Sequence, residues 1–129
     1  MTHSLRPSLR PLVAAALAIL AVPVLAAGDA ETGRTLYQTR CAACHSLDYN
    51  GIGPAHRGVF GRPAAKAPGF AYSDALKASR VVWNEDALDH WLADPEKFVP
   101  GQRMGFNVPE AKDRSDLIAF LRSTAAAAK

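Results

Sequence analysis

Both cysteines of this 129-residue chain fall in one stretch, Arg40-Cys41-Ala42-Ala43-Cys44-His45, with a histidine directly behind the second. Thiols at this spacing can close a disulfide, hold a metal, run redox exchange or anchor a group covalently. A structural zinc site needs about four ligands, usually completed by a second thiol or histidine pair, and the chain has no further cysteine. A thioredoxin-like exchange pair follows a strand in a βαβ unit, whereas the residues before Cys41 read as helix. A disulfide between positions three apart closes a tiny ring, removes little loop entropy from the unfolded chain, and leaves His45 without a role. Covalent attachment of a c-type haem uses all three side chains: Cys41 and Cys44 as thioethers to the two vinyl groups, His45 as the proximal iron ligand. An isolated disulfide or redox pair stands as the alternative.

A histidine-ligated haem iron does different chemistry according to what faces it from the other side. A sulfur ligand fills the site and raises the potential, while an open site admits gases or peroxide. Apart from Met1, Met104 is the only methionine. It follows Pro100-Gly101, a turn signal, on a stretch that would leave it partly exposed unless something buries it. Methionine more often fills a gap in a core, but with a haem inferred, Met104 is expected to be the sixth ligand. His90, in a helical stretch before Trp91-Leu92, is expected to face solvent. His56 is close to His45 in sequence and is expected to meet the proximal side or the haem edge rather than cross the ring.

Three helices are needed to position these groups. Asp29 can cap a helix through Gly33, Leu36, Tyr37 and Arg40 that delivers the cysteines at its end. A second starts at Asn84-Glu85-Asp86, buries Leu88, Trp91 and Leu92, and stops before Asp94-Pro95. A third follows Pro109, with Leu117, Phe120 and Leu121 on one face, acids early, and Arg122 and Lys129 late. Its expected partner is the first helix, with Gly33 allowing close approach and Tyr37 and Phe120 packed around the crossing. Residues 51–69 carry too many glycines and prolines for regular structure. A loop that long is unusual in a small domain, unless it wraps a large flat cofactor that supplies much of the core. The expected fold class is therefore all-α: crossing N- and C-terminal helices, a middle helix, and long loops around one covalent haem.

Residues 1–26 read as a cleaved secretory signal peptide. His3, Arg6 and Arg10 make a basic start, an uncharged run follows, and Val24-Leu25-Ala26 offers a small-residue cleavage site. The uncharged run is short against the about 20 residues of a spanning helix; a retained membrane anchor facing the periplasm is the alternative. This leaves residues 27–129 as one domain, expected in the periplasm, where free thiols tend to oxidise. Without Arg6 and Arg10, 13 of the 15 basic residues face 12 acidic ones, a net charge of +1. No Lys/Arg run is present, which argues against nucleic-acid binding.

Taken together, these residues resemble the class I cytochromes c, the mitochondrial-type and bacterial cytochrome c2-like branch, over nearly all of residues 27–129. Cys41-Ala42-Ala43-Cys44-His45 is similar to that family's haem-binding motif. The resemblance implies further roles. Pro54 would accept the hydrogen bond of the ligand imidazole through its carbonyl. Arg62, Tyr72, Ser73 and Trp83 would contact haem propionates, and Pro100 to Phe106 would form the distal loop carrying Met104. Trp91 stands where many relatives have a tyrosine that reaches the methionine sulfur, so that contact is either absent or made by the indole N–H. Phe70 likewise stands where a tyrosine is common.

The function this implies is a soluble periplasmic monohaem electron carrier, not an enzyme, with His45 and Met104 on the iron. It would be a monomer meeting protein redox partners transiently and touching membranes only through them. The alternative is a haem c subunit of a periplasmic oxidase or dehydrogenase complex.

Overall fold

The computed structural model describes residues 27–126. The expected signal peptide, its cleavage site and Lys129 lie outside the described residues. Among these residues five helices follow one another: α1 (Ala30–Arg40), α2 (Asp74–Ala78), α3 (Glu85–Ala93), α4 (Pro95–Phe98) and α5 (Ala111–Ala126). Extended pairing among the described residues is limited to one isolated bridge, Pro63 with Val82. The all-α expectation holds.

Helices α1 to α4 each start with a side-chain cap that satisfies an otherwise orphan N–H. The Asp29 carboxylate accepts from the Thr32 N–H at 2.6 Å, and Glu31 in the first turn complements the helix dipole. Asn84 does the same for α3 through the Ala87 N–H at 2.8 Å. Helices α2 and α4 are absent from the sequence expectation because five and four residues are too few to show a period. Ser73 caps the first of them, accepting from the Leu76 N–H at 3.1 Å. Asp94-Pro95 ends α3, as expected, and also begins α4: Asp94 accepts from the Lys97 N–H at 3.0 Å, with Pro95 in the first turn.

Helices α1 and α5 meet backbone to backbone. A Cβ placed on Gly33 would lie 1.9 Å from the Asp116 carbonyl oxygen, so only glycine fits. Tyr37 and Phe120 pack beside the crossing with ring centroids 5.2 Å apart, and Leu117, Ile118 and Leu121 are buried along the same helix. Burying a side chain of this size stabilises by roughly 1.5–3 kcal/mol each. Arg122 does not serve as a last-turn cation, since α5 runs on to Ala126. It pairs instead with Glu85 at the start of α3 and stacks over Phe60 at 4.7 Å.

The crossing is clamped by Asp116, whose buried carboxylate accepts from the Asp29 N–H at 2.7 Å and from the Lys112 ammonium at 2.5 and 2.6 Å. Burial pushes its pKa up, but Lys112 and the Asp29 N–H outweigh that and hold it below the ordinary carboxylate value. A depressed folded-state pKa stabilises above the unfolded-state value, about 3.9, and the contribution vanishes as pH falls through the folded-state value. Asp116→Asn should therefore melt below the wild type at neutral pH, with the gap closing in acid. Melting curves between pH 7 and pH 2 test this; a gap independent of pH would mean the charge contributes nothing.

Candidate haem site

The first turn after α1 sets the three motif side chains. The Cys41 N–H donates to the Tyr37 carbonyl at 2.9 Å, and the Cys44 and His45 N–H groups both donate to the Cys41 carbonyl, at 3.1 and 2.9 Å. This winding leaves Cys41 half-buried and Cys44 exposed, neither joined to another sulfur. Burial pushes the Cys41 thiol up to about 11, so it is held as a thiol rather than a reactive thiolate.

His45 is held from two directions. Its Nδ1 lies 2.9 Å from the Pro54 carbonyl oxygen, an acceptor only, so Nδ1 carries the proton and the Nε2 lone pair is left free. Burial lowers its pKa, with the Pro54 contact opposing, and the ring stays neutral, as a metal ligand must. Gly53 lies against the ring: a Cβ there would sit 2.1 Å from His45 Cε1.

Behind this turn opens a cavity of about 660 Å³. All ten residues singled out in the sequence line it: Cys41, Cys44, His45, Pro54, Arg62, Tyr72, Ser73, Trp83, Trp91 and Met104. Val59, Leu88, Leu117 and Leu121, supplied by the loop, α3 and α5, make its buried wall apolar. Leu88, Leu117 and Leu121 were legible in the sequence only as buried helix positions, and Val59 was not singled out.

The polar end of the cavity is built by pairing residues 61–64 with residues 81–83. The Gly61 N–H donates to the Trp83 carbonyl at 2.8 Å and the Trp83 N–H to the Arg62 carbonyl at 3.0 Å. Arg62 sends its terminal nitrogens to the Arg57 and Ala55 carbonyls, while its buried Nε has no partner. A buried donor left so costs about 1–3 kcal/mol, more for a charged group, which fits an anionic group such as a haem propionate. Tyr72 accepts from the Ala67 N–H at 3.0 Å and Ser73 caps α2; each hydroxyl keeps its own hydrogen to donate. Trp83 is buried and meets Trp91 edge to face at 5.2 Å.

The Met104 loop is pinned from α4, a contact that sequence reasoning missed because it missed the helix. The Glu96 carboxylate accepts from the Gly101 N–H at 2.9 Å and the Gln102 side-chain amide at 3.3 Å, and Gln102 in turn accepts from the Met104 N–H. Arg103 donates to the Ala71 carbonyl at 3.3 Å, tying the loop to the Phe70–Tyr72 segment. His90 is exposed and bonded to its own helix at the Asp86 carbonyl, 2.8 Å away. His56 lies beside His45 with ring centroids 3.9 Å apart, on the proximal side.

Two thiols on the rim, a neutral imidazole and a thioether on the walls, and a guanidinium with one unpaired N–H at the polar end fit one covalently held haem. Fold and site define the small all-α, haem-attaching class of electron-transfer proteins. The chain belongs to the cytochrome c family, whose model matches residues 30–125. It is 42% identical over 104 residues to the cytochrome c of Gibberella zeae, covering 78% of this chain and 98% of that one. It is 46% identical over 101 residues to the cytochrome c of Stellaria longipes, covering 75% and 94%. Among solved structures, cytochrome cH from Methylobacterium extorquens superposes with a TM-score of 0.72 at 44% identity, covering 74% of this chain and 99% of that one. The protein is thus an electron carrier rather than an enzyme, with one haem c attached through Cys41 and Cys44.

Proposed function

We propose that this is an exported periplasmic carrier in which His45 and Met104 together close both axial positions of the haem iron. The observation that carries the reading is the convergence on one cavity of Met104 and an imidazole whose Nδ1 is locked on Pro54. When bound, the haem supplies a reversible one-electron couple. The chain's part is to hold both ligands rigidly, exclude water with the apolar wall, and offset propionate charge at Arg62. Rigid ligation suits a carrier, since little has to move when an electron arrives.

Export is supported by the pattern of residues 1–26, and no helix among the described residues is long and apolar enough to cross a membrane. Intact mass after expression with haem-attachment machinery reads out both points: mature chain from about residue 27 plus one haem is expected. A mass retaining residues 1–26 would end the cleaved-signal reading in favour of a membrane anchor facing the periplasm.

Partners are met transiently at the cavity mouth, beside exposed Cys44. Ile52 (80% exposed) and Phe106 (45%) make that rim apolar. Of the basic residues nearby, Arg40 pairs with Asp113 at 2.8 Å and Arg57 with Asp48 at 2.5 Å, while the exposed Arg103 donates to the Ala71 carbonyl and keeps its charge. Lys66 lies away from the mouth, in a separate groove with Lys77 and Arg80. Docking of this kind is weak and brief.

Met104→His is the direct test of axial ligation. It should leave a six-coordinate low-spin haem while lowering the midpoint by on the order of a hundred millivolts or more, within the about 0.8 V that axial ligands span. An unchanged midpoint, or a wild-type ferric spectrum that is high-spin without a sulfur-to-iron band, would overturn the reading.

A further inference from the structure

His56 is a partly buried polar ring, and neither haem attachment nor the electron-transfer reading above uses it. Its ring stacks on the His45 imidazole at 3.9 Å between centroids and 20° between planes. Its Nδ1 lies 3.1 Å from the Tyr37 hydroxyl, and its backbone N–H donates at 2.9 Å to Ser46, the residue following His45. Tyr37 is buried, contacts Phe120 of α5, and supplies the carbonyl that receives the Cys41 N–H. A leucine would fill the same space without the desolvation cost of two polar groups, so the Tyr37–His56 hydrogen bond calls for a physical role.

We propose that His56, oriented by the Tyr37 hydroxyl, is a positioning residue that fixes the plane of the His45 imidazole beneath the haem. The proposal rests on His45 being an iron ligand. The hydrogen bond from Nδ1 to the Pro54 carbonyl and the Gly53 backbone hold the ring along its Nδ1–Cε1 edge. A second ring against its face limits the remaining tilt, provided the second ring is itself held. Tyr37 does the holding. Burial raises the Tyr37 pKa, so its hydroxyl keeps a proton to donate. The α1–α5 crossing is thereby connected to the proximal ligand through Phe120, Tyr37 and His56 in sequence. The plane of an axial imidazole sets the asymmetry of unpaired spin in a ferric low-spin haem, a property that structural support alone would leave untouched.

The test uses the ferric holoprotein and three variants: Tyr37→Phe, which removes only the hydroxyl; His56→Phe, which keeps a stacking ring without the hydrogen bond; and the double variant. Paramagnetic NMR of the haem methyls and the midpoint potential are read beside thermal melts. Tyr37→Phe should change the spread of the methyl shifts and alter the reduction equilibrium constant by about threefold, or about 28 mV at 59 mV per tenfold for one electron. The double variant should add little to either single, as expected of one coupled unit. Variants that melt lower yet keep the wild-type methyl pattern and midpoint would overturn the proposal, as would fully additive effects. A wild-type holoprotein without six-coordinate low-spin haem would instead overturn the ligation it rests on.

Discussion

His45→Ala is expected to yield no stable haem-loaded protein, even where both thioethers form. The imidazole is held by the Pro54 carbonyl at 2.9 Å, touches Gly53 and carries the His56 ring on its face. It is therefore the point at which the irregular 51–69 loop is tied to the cofactor. That loop has little regular structure of its own, and its partners surround a cavity of about 660 Å³. Side chains lining an unfilled volume lose the dispersion contacts of one whole side. A chain of this size has few others to spare. Loss of the ligand should thus cost more than one bond to iron, because the loop and the apolar wall lose their common anchor. Intact mass together with the reduced visible spectrum and far-ultraviolet circular dichroism checks this. A normal reduced spectrum from His45→Ala would contradict it.

The second large effect is expected at Gly33, far from the iron. Alanine there gains about 1 kcal/mol of helix propensity, but its Cβ would lie 1.9 Å from the Asp116 carbonyl oxygen and 2.9 Å from the Phe120 Cβ. Neither neighbour can rotate away, since one is backbone and the other the root of a side chain. The helices must separate, which weakens the Asp116 clamp on the Asp29 N–H and opens the Tyr37–Phe120 contact. Overpacking typically costs about 1–3 kcal/mol, and contact with backbone places Gly33→Ala at the upper end. A net loss of about 2 kcal/mol lowers the melting temperature by roughly 8–16 °C in a domain of this size. A melt at or above the wild-type temperature would show that the helices can part without cost.

These effects sit at two levels of legibility. Helices α1, α3 and α5 were readable because each is long enough to show a period and begins at a recognisable cap or turn: Asp29, Asn84 and Pro109. The haem motif was readable because covalent attachment demands two thiols and a histidine at fixed spacing, and the chain offers no other cysteines to compete. Gly33 was readable as a close approach, since glycine in a helix otherwise only weakens it.

Other features depend on residues that meet only after folding. Helices α2 and α4 are too short to leave a pattern, so the Glu96 contacts that pin the Met104 loop had no local signal. The unpaired Nε of Arg62 follows from where residues 61–64 and 81–83 come together. His56 could be assigned to the proximal side by its nearness to His45, but not to a stack with a tyrosine 19 residues earlier. The sequence by itself thus determined the cofactor and the fold class, because spacing, caps and turn residues act locally; the roles of Pro54, Arg62, Tyr72, Ser73 and Trp83 came only from the resemblance to a family. Tertiary structure decided how tightly each side chain is held: hydrogen bonds and ring contacts between distant segments depend on distances of a few tenths of an ångström, which only the assembled helices and loops define.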